Sequence, residues 1–248
     1  MSLGKCCVSG HIHTGEPTGS IQEIGGVSTY VSLPSGDYDK TKALLFLTDV
    51  FGLPLPNNRL LADTFAASGI AVYAPDLFNG EAIDMEAMHG GKVDLPAWLS
   101  THGADVTRPV AEKVIAALKA QGVTRFAATG YSVLLFPNIA LCDSAGTDTI
   151  QVAIVAHPSL LQVPEDLEAL NKKSTPFLWH NALKDYHFGP EQQATAKKIL
   201  GDNSAHVFID WEGQEHGFAI RGDSDKPDVK AAAEGAFKAS AEFIKKHL

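Results

Sequence analysis

Short apolar runs alternate with amphipathic stretches along most of this chain. Ala43-Leu44-Leu45-Phe46-Leu47-Thr48 is continuously apolar, the pattern of a strand buried on both faces of a mostly parallel sheet. Ile70–Ala74, Thr149–Ala156, Pro176–Trp179 and Ala205–Trp211 read as further strands. The central one is Arg125-Phe126-Ala127-Ala128-Thr129-Gly130-Tyr131-Ser132, an apolar run closed by a glycine, an aromatic and a serine. Between them lie helical patterns: from Asn57 or Asn58, as a cap, to about Ser68, with Gly69 ending it; Val106–Gln121, with Pro109 in its first turn; Pro164–Asn171; Pro190–Leu200; and the Ala-rich Asp228–Leu248. Near the N-terminus, residues 1–20 read as irregular, Gln22–Leu33 alternates around Gly25-Gly26 as a hairpin would, and Pro34–Lys42 reads as a polar turn. Pro75–Gly103 is a long connection of the kind that often covers an active site. This alternation predicts one α/β domain over 1–248, a mostly parallel central sheet with helices on both faces.

Composition narrows the function classes. The chain has 248 residues, is 45% hydrophobic and carries a net charge of -9, enough apolar sequence for a full core and no basic stripe for nucleic acid. Cys6, Cys7 and Cys142 are odd in number and the first two are adjacent, so free thiols in a reducing compartment are expected rather than disulfides. No metal-ligand spacing appears. Neither a leader pattern nor a run of 18 apolar residues is evident, so a cytoplasmic protein without a membrane partner is expected. The implied partner is a small-molecule substrate, with the chain a monomer or homodimer.

Candidate chemistry collects at strand ends, where open α/β sheets bind ligands. Asp49, Ser132, Asp185 and His216 each follow a different apolar run. Serine, then acid, then histidine is the chain order of α/β-hydrolases. In such a set the histidine takes the proton of the serine, and the acid fixes the imidazole tautomer. The oxyanion donors would be the backbone N–H of Val133 and one near Val50. His157, closing a strand in Ala-His-Pro-Ser, could line a pocket or hydrogen-bond the turn backbone. His187, two residues beyond Asp185, reads as a surface histidine that could compete as base if its loop folds inward.

These residues carry a family likeness. Gly10-His11-Ile12-His13-Thr14-Gly15, Thr48-Asp49-Val50-Phe51-Gly52-Leu53, Ala74-Pro75-Asp76, Gly130-Tyr131-Ser132, Ala156-His157-Pro158-Ser159, Lys184-Asp185 and His216-Gly217-Phe218 span nearly the whole chain. It resembles dienelactone hydrolases (carboxymethylenebutenolidases), especially their fungal relatives. The resemblance implies an α/β-hydrolase fold and cofactor-free hydrolysis of a lactone or small ester. It implies a substrate site at Asp49, Phe51, Tyr131, His157, Phe218 and Arg221, with Arg221 one place off the bacterial position for a substrate-carboxylate contact. Two departures stand out. Position 132 is serine where the family usually has cysteine, which makes the histidine base a stricter requirement. The elbow's glycine two residues past the nucleophile is replaced by Leu134, in the run Val133-Leu134-Leu135-Phe136-Pro137. An elbow so changed allows a second reading, a diverged member that binds or converts an apolar metabolite without hydrolysis.

Overall fold

A computed structural model describes residues 11, 13–132 and 149–248. Among the described residues, eight strands form one sheet in the order β1-β2-β4-β3-β5-β6-β7-β8. The strands are β1 (Ser20–Ile24), β2 (Val27–Ser32), β3 (Lys42–Leu47), β4 (Ala71–Pro75), β5 (Arg125–Tyr131), β6 (Val152–Ala156), β7 (Phe177–Ala182) and β8 (His206–Trp211). β1 and β2 pair antiparallel, as does β2 with β4; every other pairing is parallel. The predicted hairpin is present: Gly25 and Gly26, at φ 62° and 75°, make the two-residue turn joining β1 to β2. Two positive φ values in succession match the right-handed twist of the strands they join, and glycine adopts them without strain.

The continuous apolar runs are explained by burial on both faces. In β3, Leu45 and Leu47 face one core layer while Leu44 and Phe46 face the other. β5 splits in the same way, Phe126 and Ala128 against Ala127 and Tyr131. One layer is closed by Val110, Val114 and Leu118 of the helix Ala104–Ala120, the other by Phe65 of the helix Pro56–Ala67 and Ala232, Ala236 and Ile244 of the helix Pro227–His247. Within that last helix Ser240 is buried too, and a small polar network receives it. Trp211 Nε1 donates to His180 Nδ1 at 3.1 Å, so Nε2 of His180 carries the proton and donates to Ser240 Oγ at 2.9 Å. Burial pushes the pKa of His180 down to about 3, which keeps this ring neutral.

Several local expectations are corrected. Asn57 and Asn58 do not cap their helix, which starts at Pro56 after Leu55 and has no side-chain cap. Both are buried and used otherwise. Asn57 Nδ2 donates to the carbonyls of His11 and Ile220, and Asn58 Nδ2 to the carbonyl of Gly52 and to Asp49 Oδ1. Pro109 lies inside the helix Ala104–Ala120, as its sixth residue and not in its first turn, because the helix begins at Ala104, after Gly103 and two residues earlier than expected. β7 runs three residues past Trp179, to Ala182.

The long connection after β4 is not plain loop either. It contains the short helices Met85–His89 and Leu95–Thr101, each capped by an aspartate, Asp84 and Asp94. Ile83, Met85, Met88 and Leu95 pack with Val50 and Phe51 into a small core at the end of β3. Trp98 Nε1 donates to the carbonyl of Glu81, the ring of Trp98 stacks on that of His102 at 4.2 Å, and His102 Nε2 meets Glu81 Oε2 at 3.0 Å. Among the described residues no helix is long and apolar enough to cross a membrane.

Candidate active site

Ser132 directly follows β5, between the parallel neighbours β3 and β6. Its φ is +64°, a left-handed conformation that costs a side-chain-bearing residue about 1–2 kcal/mol. A sharp strand exit of this kind turns the hydroxyl out above the sheet end, as a nucleophile elbow requires. Asp185 lies three residues past β7 and His216 five past β8. Backbone bonds between their two loops align them: Leu183 N donates to Trp211 O, and Lys184 N to Gln214 O.

The three side chains meet. Ser132 Oγ is 2.8 Å from His216 Nε2, and His216 Nδ1 is 2.8 Å from Asp185 Oδ2. All three residues are at most 5% exposed, so these contacts are shielded from water. The remaining carboxylate oxygen of Asp185 accepts from the His187 amide at 2.8 Å. Burial works to raise the Asp185 carboxyl, but the His216 bond and charge and the His187 amide outweigh it and hold the group below the usual carboxylate range. An ionised Asp185 therefore accepts from Nδ1–H of His216, which leaves Nε2 as the acceptor facing the serine. Burial also depresses the pKa of His216; Asp185 opposes that, while Arg221 and His187 add to it.

The imidazole of His216 lies between two others. His157 and His187 present their rings edge to face with it, at centroid distances of 4.9 and 5.0 Å. His187 is half-buried rather than a solvated surface residue. His157 is fully buried with φ +42°, and among the described residues neither ring nitrogen makes a hydrogen bond of good geometry. Burial, then the proximity of His216 and Arg221, holds its pKa well below the usual value, and the ring is neutral.

Asp49 and Arg221 form a second polar pair at the end of β3. Arg221 Nε is 3.8 Å from Asp49 Oδ2 and both side chains are buried, with the guanidinium over the Phe51 ring at 5.4 Å. Asp49 Oδ1 accepts from the Phe51 amide and from Asn58. Among the described residues, Asp49 Oδ2 and Nε and Nη1 of Arg221 make no hydrogen bond, an unusual state for buried charged atoms. Gly217, at φ +91°, lets the guanidinium lie against the histidine loop, since a Cβ there would collide with it. Arg221 sits in a short helix, Phe218–Arg221, that the sequence pattern does not predict.

The other predicted residues are more scattered. Val50 is buried and its carbonyl accepts from the Ile83 amide, tying it to the connection after β4. Tyr131 is turned into the core against Phe46, at 5.2 Å, instead of toward an open cleft. Phe218 packs between the rings of His157 and Trp211. Val133 and the altered elbow through Pro137 lie outside the described residues, as do the three cysteines and Gly10 and Ile12 of the N-terminal motif. A cleft of about 260 Å³ opens at the histidine loop, between His11, Gln214, Arg221 and Lys226; His216 lines it, while Ser132 and Asp185 do not. Reasoning from sequence alone missed Ser159, whose hydroxyl lies 3.2 Å from that of Ser132, although it sits in the Ala-His-Pro-Ser motif.

Comparison with known proteins identifies the family of the chain. The model of the dienelactone hydrolase family matches residues 27–248. The chain belongs to that family, and it is a hydrolase with an α/β-hydrolase fold. It is 30% identical over 246 residues to the hydrolase pyvD of Aspergillus violaceofuscus, covering 98% of this chain and 96% of that protein. It is 28% identical over 246 residues to dienlactone hydrolase 1 of Gibberella moniliformis, covering 96% and 92% of the two chains. Among solved structures it is similar to the dienelactone hydrolase-like promiscuous phosphotriesterase P91 from metagenomic libraries, with a TM-score of 0.68, 14% identity and coverage of 92% of this chain and 96% of that one. That similarity is one of fold.

Proposed function

We propose that this hydrolase cleaves a small lactone or carboxylic ester through Ser132, His216 and Asp185. The observation that carries the proposal is the unbroken pair of 2.8 Å contacts from Ser132 Oγ through His216 to Asp185 Oδ2. His216 Nε2 takes the hydroxyl proton as Ser132 Oγ attacks the carbonyl carbon. The tetrahedral intermediate collapses as His216 returns that proton to the leaving oxygen, leaving an acyl-serine. Water, deprotonated by the same imidazole, then releases the acid and regenerates the serine. Asp185 keeps the proton on Nδ1 throughout and offsets the positive charge of the imidazolium. Backbone amides at Val50 and Val133 are the proposed oxyanion donors.

Asp49, Phe51, His157, Phe218 and Arg221 would border the substrate. The hydrogen-bonding capacity left on Arg221 and Asp49 favours a substrate with a polar or carboxylate group near the scissile bond. The net charge of -9 and the odd number of cysteines are consistent with work on a small metabolite in the cytoplasm. The test is hydrolysis of p-nitrophenyl acetate and of an enol lactone by the purified chain. Release of acid above the spontaneous rate supports the reading; turnover of neither ester nor lactone refutes it.

A pH profile follows from the depressed pKa of His216. The base must be neutral to accept a proton, and its midpoint lies below the ordinary 6.5. Activity is therefore expected to persist on acidification through pH 6.5 and to fall only below it, read as the acid limb of kcat/KM. An acid limb centred above about pH 7 would mean that the Asp185 contact outweighs burial in setting the pKa of this imidazole.

A further inference from the structure

We infer that Ser159 is a second catalytic hydroxyl, donating a hydrogen bond to the attacking oxygen of Ser132 and stabilising the negative charge that develops there. The inference rests on the reading of Ser132 as nucleophile and extends it. Ser159 lies just past β6, buried at 3% exposure, with its Oγ 3.2 Å from Ser132 Oγ. A backbone bond holds the two together, Ser159 N donating to the Ser132 carbonyl at 3.3 Å.

The direction of the hydroxyl contact follows from the rest of the relay. With Nδ1–H of His216 directed at the Asp185 carboxylate, Nε2 has only a lone pair to offer. The Ser132 proton is therefore committed to Nε2, and the Ser132 oxygen can only accept from Ser159. As His216 removes the proton, charge grows on the Ser132 oxygen, and the bond from Ser159 passes from neutral to charge-assisted. In the acyl-serine that oxygen is part of an ester and accepts weakly. During deacylation it departs with charge again, and Ser159 donates again before His216 returns the proton. The bond is thus stronger in the transition states of both halves than in the resting or acylated states, which is the condition for raising kcat.

A charge-assisted bond is worth roughly twice a neutral one, which translates to a kcat lower by about ten-fold in Ser159→Ala, with KM changed less than about two-fold. Two further variants separate a hydroxyl donor from mere packing. Ser159→Thr keeps the donor and changes the shape, while Ser159→Cys keeps the shape and has only a weak donor. The measurements are kcat on p-nitrophenyl acetate and the rate of Ser132 modification by a fluorophosphonate, on variants with wild-type thermal midpoints. Ser159→Ala and Ser159→Cys slowed together in both assays, with Ser159→Thr recovering most of the rate, supports the inference. Ser159→Ala within two-fold of wild type, or Ser159→Cys at the wild-type rate, overturns it while leaving Ser132 as nucleophile. If the fluorophosphonate does not modify Ser132 in the wild-type chain, the underlying reading fails instead.

Discussion

Ser132→Ala is expected to lower kcat on a p-nitrophenyl ester by on the order of 10⁴- to 10⁶-fold, the range seen when a serine nucleophile is removed and only binding and oxyanion contacts remain. The substitution deletes one buried oxygen and its contacts to His216 and Ser159. It also leaves alanine at φ +64°, where serine already pays the left-handed strain, so the fold is expected to be little affected. A thermal midpoint near that of wild type, measured beside the kinetics, assigns the loss to chemistry. If the variant keeps a tenth or more of the wild-type rate, some other residue performs the attack.

Asp185→Asn is expected to cost about 10⁴-fold in kcat while leaving substrate binding nearly intact. The carboxylate has an acceptor role on both sides, from His216 Nδ1 at 2.8 Å and from the His187 amide at 2.8 Å. An asparagine presents one oxygen and one NH₂ group, so only one of those donors can still be accepted. If the oxygen stays with the His187 amide, the NH₂ group faces His216 and favours the tautomer with its proton on Nε2, toward the serine. That histidine can no longer act as base. The opposite flip sets the NH₂ group against the His187 N–H and strains the loop. The readout is kcat and KM on the ester at neutral pH. A drop of less than about ten-fold would mean that Asp185 does not set the tautomer.

Much of this site was legible from residue order, because Asp49, Ser132 and Asp185 follow the buried strands β3, β5 and β7, whose apolar runs are easy to recognise, while His216 follows the partly exposed edge strand β8. β3 and β5 face two core layers at once, so their runs are largely apolar, and Asp49 and Ser132 lie just past their ends. Apart from the serine, histidine and aspartate, contacts made by residues far apart in sequence were not legible. Asn57 and Asn58 look like helix caps because asparagine favours caps, yet tertiary demand for backbone partners at His11, Ile220 and Gly52 takes both side chains. Ser159 is one of many serines until β6 is laid beside β5, which brings its hydroxyl to the nucleophile. The placement of His187 depends on the turn after Asp185, where the carboxylate captures the His187 amide and draws the ring onto His216. Tyr131 was assigned by its place in the motif, but strand alternation sends its ring into the core with Phe46.

The most direct measurement is the intact mass of the protein after reaction with a fluorophosphonate, followed by peptide mapping. One phosphonyl group per chain, on Ser132 and absent from both Ser132→Ala and the acid-denatured protein, is the predicted result. An adduct on another residue, or full esterase activity in a chain whose Ser132 stays unmodified, would contradict the account.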